Sequence, residues 1–489
     1  MAVKLAHLSS YGQRQKPMTP EEFRRAGYAM VDWIASYRES IASRPVLAPA
    51  APGEIKAMLP ATPPQDAEPM DAILRDFDAI ARRGITNWQH PRFMAYFPAN
   101  SLLAGVVGDL ASTGLGVIGL TWAASPALTE VEEVMVDWMR QALGLPATFS
   151  GAIQDTASTA TLVALICARE RASSYALARG GLHDEPKRLT VYTSEHAHSS
   201  VEKAALIADF GRENVRAVPS NAAFAMRAHE LRRMIEEDVA AGCQPCAVVA
   251  TTGTTTTTAI DPIEAIAQIA REHGMWLHVD GAMAGSAMIL PECRWMWAGV
   301  EAADSIVINP HKWLGVPFDC SLYYVRDVEH LVRVMSTNPS YLQTNVDAQV
   351  KSLRDWGIPL GRRFRALKLW FVLREQGLSG LQARLRRDLA SAKMLEALVR
   401  AAPGWRVLAP VVLQTLCVRH EPDGMEGEVL DRHTLAWVDR VNRSGEAYLT
   451  PAMLDGRWMV RVSIGSLETV EADVARVWRA MRSAAEGRA

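Results

Sequence analysis

A strand–helix–strand pattern near the middle of the chain constrains the fold more than any other sequence feature. The apolar run CAVVATTG is followed by the helical stretch DPIEAIAQIAREHG and then by the run MWLHVDGA. In the helical stretch we predict Asp261 as the N-cap, Pro262 in the first turn, Glu264 as the capping-box partner and Gly274 as the C-terminal glycine. Such a βαβ unit predicts an α/β fold, with a mostly parallel sheet covered by helices on both faces.

The same alternation extends over a large part of the chain and suggests three domains. Further strand-like runs, RLTVYTS and ADSIVINP, flank this unit, and 489 residues are more than one core usually serves. We therefore predict a large domain at 102–369, preceded by an N-terminal helical arm at 1–101 and followed by a small α+β domain at 370–489. The arm begins with a helix that Thr19 and Pro20 start, and continues into a stretch rich in Pro and Ala that has no core of its own.

Charge and cysteine content exclude several classes of protein. Lys and Arg number 52 against 54 Asp and Glu, without basic or acidic blocks, so neither nucleic acid nor a membrane surface is an expected partner. The first 18 residues lack the apolar core of a signal peptide and no apolar run is long enough for a membrane span, so we expect a cytoplasmic protein. Cys243 and Cys246 form a C-x-x-C without a second pair, so we predict reduced structural thiols and no metal site.

Chemically useful side chains follow four of the predicted strands. Asp280 ends one strand, Lys312 follows another, His196 and His198 follow a third, and the threonines of 251–258 follow a fourth. Each has an ordinary structural explanation, such as a turn-forming aspartate, a surface lysine or β-branched strand formers. Ligands of such sheets bind outside the carboxyl ends of the strands. The pattern therefore predicts an acid, an amine, an imidazole and hydroxyl groups around one ligand.

A fifth segment adds a candidate phosphate site. Thr156, Ala157, Ser158 and Thr159 stand directly before a long apolar helix, where free backbone N–H groups bind anions, although plain N-capping would use the same residue types. The usual nucleotide loops, GxGxxG and GxxxxGK[ST], are absent. A phosphate site, a lysine amine, a strand-end acid and an imidazole together fit pyridoxal phosphate, whose aldehyde can form a Schiff base with the lysine while the acid keeps the pyridine nitrogen protonated.

Longer motifs resemble a known family. INPHKW, HVDGAMAGSA, SEHAHSSVEKA, HPRFMAYFPA, LTWAASPALTEVE and WGIPLGRRFRALKLWFVLREQGLSGLQARLR occur in the order seen in the aromatic L-amino acid decarboxylase family, the group II pyridoxal phosphate-dependent decarboxylases. The similarity runs over nearly the whole chain. It implies a fold of the PLP-dependent transferase type (fold type I) with a seven-stranded, mostly parallel central sheet. It also implies a homodimer with interface active sites, in which the N-terminal arm packs on the partner subunit.

The resemblance also implies catalytic roles. Lys312 matches the Schiff-base lysine and Asp280 the partner of the pyridine nitrogen. His198 matches the histidine that stacks on the ring, and Tyr341, in a polar loop, matches the proton donor. The remaining implied cofactor contacts are Thr156, Ala157, Ser158, Thr255, Ala282, Asn309 and His311.

For the substrate, the resemblance implies an aromatic L-amino acid: dopa, 5-hydroxytryptophan, tryptophan, tyrosine or phenylalanine. Leu120 stands where animal enzymes carry Phe and Ala99 where they carry Thr, and both changes make the pocket larger or less polar. Gly361 is compatible with a bulky indole. The implied substrate-binding residues are Tyr96, Phe97 and Pro98 as one wall, Ile118 and Leu120 from the partner subunit, and Trp313 and Gly361.

Alternative functions remain open at this point. Relatives that make aldehydes differ at the loop tyrosine or at the stacking histidine, whereas this chain keeps Tyr341 and His198, which favours decarboxylation to an amine. A decarboxylase of glutamate or histidine would use the same scaffold. A cofactor carrier without turnover would not require Tyr341, and a hydrolase or dehydrogenase would need a nucleophile elbow or a dinucleotide loop, which the sequence lacks.

Overall fold

The computed structural model describes residues 17–337 and 349–487. The helices of the N-terminal and central parts are α1 (Pro20–Ser40), α2 (Glu54–Ala57), α3 (Met70–Gly84), α4 (Leu103–Leu115), α5 (Pro126–Leu143), α6 (Ala157–Ala172), α7 (Ser200–Ile207), α8 (Ala228–Ala240), α9 (Ile263–Glu272) and α10 (Val328–Met335). Three further helices follow, α11 (Ala366–Ala401), α12 (Gly427–Arg443) and α13 (Glu471–Ala485). The strands are β1 (Ser150–Gln154), β2 (Leu189–Ser194), β3 (Val215–Val218), β4 (Gln244–Thr251), β5 (Trp276–Asp280), β6 (Ser305–Ile308), β7 (Ser321–Val325), β8 (Trp405–Val407), β9 (Thr415–His420), β10 (Thr450–Leu454) and β11 (Arg457–Ser463).

The central sheet has seven strands in the order β1-β7-β6-β5-β4-β2-β3. Strands β2 to β6 pair in parallel, and β7 runs antiparallel to both β1 and β6. Every residue of β2, β5, β6 and β7 is buried, as expected for a sheet covered by helices on both faces. The predicted mostly parallel, seven-stranded α/β fold is thus confirmed.

Strand register brings the carboxyl ends of the central strands together. Thr251 at the end of β4 pairs with Asp280 at the end of β5, and Asp280 pairs with Val307 near the end of β6. Because β1 and β6 both run antiparallel to β7, the end of β1 lies at this same edge of the sheet. Helix α6 starts just after β1, so its N-terminus faces the ends of the parallel strands.

A second, four-stranded antiparallel sheet lies in the C-terminal part, in the order β10-β11-β9-β8. Its core includes Trp405, whose ring contacts those of Trp437 and Trp478 at centroid distances of 5.4 and 4.9 Å. Helix α11 connects the two sheets and has one non-helical residue, Gly377, with φ 61°. Helix α11 crosses the predicted boundary between the large and the small domain, at residues 369 and 370. The division into three domains stays a prediction.

Two helix starts show how far local sequence patterns are reliable. Helix α1 begins as predicted, because the Thr19 hydroxyl accepts a hydrogen bond from the Glu22 N–H at 3.2 Å and the Thr19 N–H donates to the Glu22 carboxylate at 2.8 Å. The prediction of a capping box at α9 was wrong. Pro262 occupies the N-cap position, and no side chain caps this helix. Gly274, with φ +64°, does end it as predicted.

Asp261 has a long-range role in place of capping. Its carboxylate accepts hydrogen bonds from the Met226 N–H at 2.7 Å and the Thr251 N–H at 2.8 Å. Burial raises the pKa of this carboxyl to about 6, against the two hydrogen bonds, which lower it. Asp261 therefore links the end of β4, at the carboxyl edge of the central sheet, to the segment before α8.

Other predicted features can be compared with the described residues. All six cysteines are free and buried. In the ranges 17–337 and 349–487, no helix is both long and apolar enough to cross a membrane. The same ranges contain no group of three or more His, Cys, Asp or Glu side chains placed to hold a metal ion.

We expect Asp261→Ala to lower the free energy of unfolding by about 3 kcal/mol, because two buried backbone N–H groups lose their acceptor. Urea unfolding of the purified protein at pH 7.5 measures this loss. The matched control is Asp66→Ala, at an exposed position, for which the change should stay within about 0.5 kcal/mol. Equal stability of the two variants would contradict a structural role for the Asp261 carboxylate.

Candidate active site

A cavity of about 210 Å³ lies at the carboxyl edge of the central sheet. It brings together all ten residues that the sequence predicts as cofactor contacts: Thr156, Ala157, Ser158, His198, Thr255, Asp280, Ala282, Asn309, His311 and Lys312. Phe97, from the predicted substrate wall, also lines it. Residues from six separate segments of the sequence thus meet in one small space.

Lys312 lies in the turn that follows β6. The Lys312 N–H donates to the Asn309 carbonyl at 3.0 Å, and the Asn309 N–H donates to the Ala282 carbonyl at 2.9 Å, which fixes the turn against the end of β5. Burial lowers the pKa of the Lys312 amine, while the Asp280 carboxylate opposes this shift and the Arg461 guanidinium adds to it. A lowered pKa increases the neutral, nucleophilic fraction of the amine.

Asp280 is the last residue of β5 and is only 5% exposed. One carboxylate oxygen accepts a hydrogen bond from the Ala282 N–H at 3.0 Å, which fixes the orientation of the side chain. The imidazole of His278 lies two residues earlier on the same strand, and its burial lowers its pKa to about 4. Asp280 thus presents a negative charge to the cavity without a neighbouring imidazolium to neutralise it.

His198 has a defined tautomer. The Ser200 N–H donates to His198 Nδ1 at 3.1 Å, and the Ser200 hydroxyl lies 2.7 Å from the same nitrogen. Burial lowers the pKa of the imidazole, against the attraction of Asp280. Because Nδ1 accepts a hydrogen bond, the proton of the neutral ring is on Nε2.

Another group of lining residues is suited to a phosphate. Thr156 is the N-cap of α6, and N–H groups in the first turn of a helix have no intrahelical acceptor. The Cys320 N–H donates to His311 Nδ1 at 2.9 Å, and burial lowers the pKa of His311 to about 4, so its Nε2–H is a donor. Asn309 is held by the Ser321 hydroxyl, which donates to its Oδ1 at 2.6 Å.

These residues fit pyridoxal phosphate. The cavity offers hydrogen-bond donors, a carboxylate, an imidazole and an amine of lowered pKa. The buried hydroxyl of Thr251 also lines it and has no hydrogen-bond partner in the part of the chain that the structure describes. Lys312, Asp280, His198 and the N-terminus of α6 would hold the aldehyde, the ring nitrogen, the ring face and the phosphate, respectively.

The structure separates the predicted substrate residues into two groups. Phe97 lines the cavity, with its ring centroid 5.5 Å from the Lys312 amine nitrogen. Tyr96 is 46% exposed, and its hydroxyl lies 3.1 Å from that of Tyr448. Pro98 is buried, and neither it nor Trp313, whose indole N–H donates to Asp388 at 2.9 Å, lines the cavity.

The second group forms its own cluster on the surface. A Cβ atom placed on Gly361 would lie 3.3 Å from Ile118 and 3.9 Å from Leu120. The Gly119 N–H donates to the Arg362 carbonyl at 2.9 Å, which joins the two segments. Ile118 is 57% exposed, and this cluster does not line the cavity of the same chain. Tyr341 lies outside the described residues.

Several residues near the cavity were not predicted. Ser200, Gly253 and Met283 line it and adjoin the motifs in the sequence, whereas Thr251, which also lines it, belongs to the predicted threonine run. Arg461, in β11, is 4% exposed, and its guanidinium carbon lies 4.8 Å from the centroid of the Phe97 ring. Its Nε donates to the Thr256 carbonyl at 3.0 Å. An arginine inside the apolar run RWMVRVSIG was the available signal, since a charged residue on a buried strand needs a partner.

Comparison with known proteins agrees with this geometry. Residues 52–421 match the pyridoxal-dependent decarboxylase conserved domain. Phenylacetaldehyde synthase of Arabidopsis thaliana is 39% identical over 97% of this chain and 98% of its own length, and aromatic-L-amino-acid decarboxylase of Rattus norvegicus is 40% identical over 96% and 98%. The crystal structure of Oryza sativa TDC with PLP and tryptamine has a TM-score of 0.94, with 35% identity over 97% of this chain and 99% of that one. The chain therefore belongs to the aromatic L-amino acid decarboxylase family of pyridoxal phosphate-dependent carboxy-lyases.

Proposed function

We propose that this protein converts an aromatic L-amino acid into the corresponding arylalkylamine and CO₂, as a cytoplasmic homodimer. The observation that supports this most directly is the single cavity in which Lys312, Asp280 and His198 meet the N-terminus of α6. In this proposal the ten residues named above as cofactor contacts bind pyridoxal phosphate. The family relationship supports decarboxylation of an aromatic amino acid in general. The choice of substrate, and an amine instead of an aldehyde as the product, belong to the proposal.

Each catalytic side chain has a role that its surroundings support. Pyridoxal phosphate, when bound, supplies an electron sink for the pair of electrons left behind by CO₂. Lys312 would hold the cofactor aldehyde covalently, helped by the lowered pKa of its amine. Asp280 would keep a proton on the pyridine nitrogen, and the Ala282 N–H holds its carboxylate in position. His198 would pack against the ring as a neutral imidazole, since burial lowers its pKa.

A proton must then reach the carbon that has lost CO₂, and we assign this step to Tyr341 on the basis of its sequence motif. The same tyrosine together with His198 favours an amine product over an aldehyde. The similarity to a protein named phenylacetaldehyde synthase keeps oxidative aldehyde formation as the second candidate. The distribution of products decides between the two.

We expect the holoenzyme to release amine and CO₂ in equal amounts from dopa, 5-hydroxytryptophan, tryptophan, tyrosine or phenylalanine, with little hydrogen peroxide or aldehyde. Chromatography of the products and a peroxide assay measure this ratio. Glutamate and histidine are the negative controls, for which we expect no turnover. Peroxide at parity with CO₂ would identify an aldehyde synthase, and faster turnover of glutamate or histidine would contradict an aromatic substrate.

We expect Asp280→Ala to retain part of its cofactor but to lose at least about 100-fold in kcat, because an unprotonated pyridine is a poor electron sink. The absorbance of the bound cofactor after dialysis and the rate of CO₂ release are the two measurements. Asp66→Ala, at an exposed position, is the control and should keep the wild-type rate. A near-normal kcat for Asp280→Ala would rule out the assigned role.

The cluster of Ile118, Leu120 and Gly361 supports a site completed by the partner subunit. These residues lie together and away from the cavity of their own chain. Gly361 leaves space beside Ile118, and any larger residue would bring its Cβ to 3.3 Å from that side chain. We therefore place an indole or phenyl ring of the substrate between this cluster and the cavity of the other subunit.

Exposed apolar side chains support the homodimer. Helix α1 exposes Phe23, Tyr28 and Val31, and helix α4 exposes Val107 and Leu110, each by more than half. Large apolar side chains exposed in groups on a helix are typical of protein interfaces. The N-terminal arm packing on the partner subunit would cover such surfaces.

We expect two inactive variants to restore activity when their subunits are mixed. Lys312→Ala removes the covalent attachment point, and Ile118→Arg places a charge where the ring of the substrate binds. In a mixed dimer, one site combines an intact Lys312 with an intact Ile118 of the other subunit. Refolding the two variants together should therefore recover decarboxylation, measured as CO₂ release. If both residues serve the site of their own subunit, the mixture stays inactive.

A further inference from the structure

A second cavity, of about 420 Å³, lies beside helix α11. Its lining includes Leu102, Gly380, Arg384, Arg387, Leu467 and Glu468. It shares no lining residue with the cavity at the edge of the sheet. None of the residues assigned to pyridoxal phosphate or to its substrate lines this second cavity, so those assignments give it no function.

Arg384 reaches this cavity with unused hydrogen-bonding capacity. The residue is only 8% exposed, and one terminal nitrogen donates to the Trp313 carbonyl at 2.6 Å. Within the described ranges, its Nε and its other terminal nitrogen, Nη1, have no hydrogen-bond partner. A buried donor without an acceptor costs free energy, and a charged donor costs more than a neutral one.

Arg387, one turn along the same helix, adds a second guanidinium group. One of its terminal nitrogens donates to the Leu467 carbonyl at 2.8 Å, whereas its Nε has no partner in the described part of the chain. The carboxylate of Asp388 lies 3.6 Å from Arg387 and accepts a hydrogen bond from the Trp313 indole N–H at 2.9 Å. Asp388 thus compensates part of the positive charge on this face of α11.

The overall charge around the cavity is positive. Arg384 and Arg387 face the carboxylates of Asp388 and Glu468. Arg38 is also close enough to Glu468 for this carboxylate to raise the pKa of its guanidinium, although burial lowers that pKa more. Burial lowers the pKa of Arg384 to about 10, so it stays charged at neutral pH. Among the side chains that line the cavity, two guanidinium groups, of Arg384 and Arg387, stand against one carboxylate, of Glu468.

We propose that this cavity binds a small oxyanion, the carboxylate or phosphate group of a metabolite. The planar guanidinium groups of Arg384 and Arg387 hold N–H donors that match such oxygens. The unpartnered nitrogens have almost no accessible surface, so the proposal includes a turn of these side chains toward the oxyanion, which then supplies the missing acceptors. The oxyanion also neutralises the excess positive charge. A volume of about 420 Å³ leaves room for the body of a small molecule beyond the charged group.

The site is connected to the catalytic lysine through Trp313. Arg384 donates a hydrogen bond to the Trp313 carbonyl, and Asp388 accepts one from the Trp313 indole N–H. Helix α11 thus binds the residue that directly follows Lys312. An anion bound by Arg384 shares this guanidinium with the Lys312 turn. The cavity is therefore placed to act as an effector site on the reverse side of the turn.

The test is calorimetric titration of the holoenzyme with inorganic phosphate and, separately, with acetate, at constant ionic strength. Its cofactor keeps the N-terminus of α6 occupied, so added phosphate reports on a second site. We expect saturable binding of at least one of the two anions, with the one bound identifying phosphate or carboxylate as the preferred group. Binding of both supports general recognition of oxyanions.

Three variants connect the binding to the cavity. Arg384→Gln and Arg387→Gln should each weaken the binding at least about tenfold, as expected for loss of a charged hydrogen bond. Arg386→Gln removes the same charge from the same helix, at a side chain that is 49% exposed and paired with Glu292, and should leave binding unchanged. Retained cofactor absorbance shows that each variant is folded, and the Arg387 side chain, 39% exposed, tolerates substitution better than Arg384.

Two results would overturn the proposal. One is the absence of saturable binding of both anions by the wild-type holoenzyme up to about 20 mM, which corresponds to an affinity too weak for a functional site. The other is an affinity that Arg384→Gln and Arg387→Gln leave within twofold of the wild type. In either case the two arginines have only a structural role in this part of the fold.

Discussion

The parallel pairing of β4, β5 and β6 is the constraint on which the active site depends. Their register sets Thr251 beside Asp280 and Asp280 beside Val307, so the segments that leave these strands start from neighbouring points. The turn that carries Lys312 is then held by a hydrogen bond from the Asn309 N–H to the Ala282 carbonyl, just beyond the end of β5. A slip of one residue between these strands would turn Asp280 to the other face of the sheet and separate it from Lys312.

Burial is the physical cause that most of the site residues share. It lowers the pKa of Lys312, His198 and His311 in the same direction, toward the neutral form, because a charged group loses hydration in a small cavity. Neutral imidazoles donate one hydrogen bond and accept one, and in both histidines a backbone N–H occupies Nδ1. The fold thereby assigns the proton to Nε2 in each, without any further charged residue.

Much of this site could be predicted from the sequence because its residues lie at strand ends and at one helix start, where local patterns are strong. Asp261 could not be predicted correctly, since the same residue type that caps helices also binds distant backbone N–H groups, and only the tertiary structure decides between the two. Arg461 comes from the other sheet, about 150 residues beyond Lys312, so no local pattern joins it to the site. The family resemblance names Ile118 and Gly361, but their contact with each other follows from no local pattern, because contacts between distant segments have no fixed spacing.

Helix α11 carries two buried charged side chains, Arg384 and Asp388, beside Trp313, and their burial needs a specific explanation. Its Arg384 and Asp388 both bind Trp313, which is itself fully buried, and apolar side chains could fill the same space without loss of hydration. Arg384 and Asp388 hold Trp313 by directional hydrogen bonds at its carbonyl and its indole N–H. Such bonds fix the orientation of Trp313 more strictly than apolar packing alone would. The arginine is nevertheless only partly used by Trp313, since two of its nitrogens have no partner within the described residues. A residue that only positions Trp313 would not need these extra donors, and the oxyanion proposed for the adjoining cavity would give them a use.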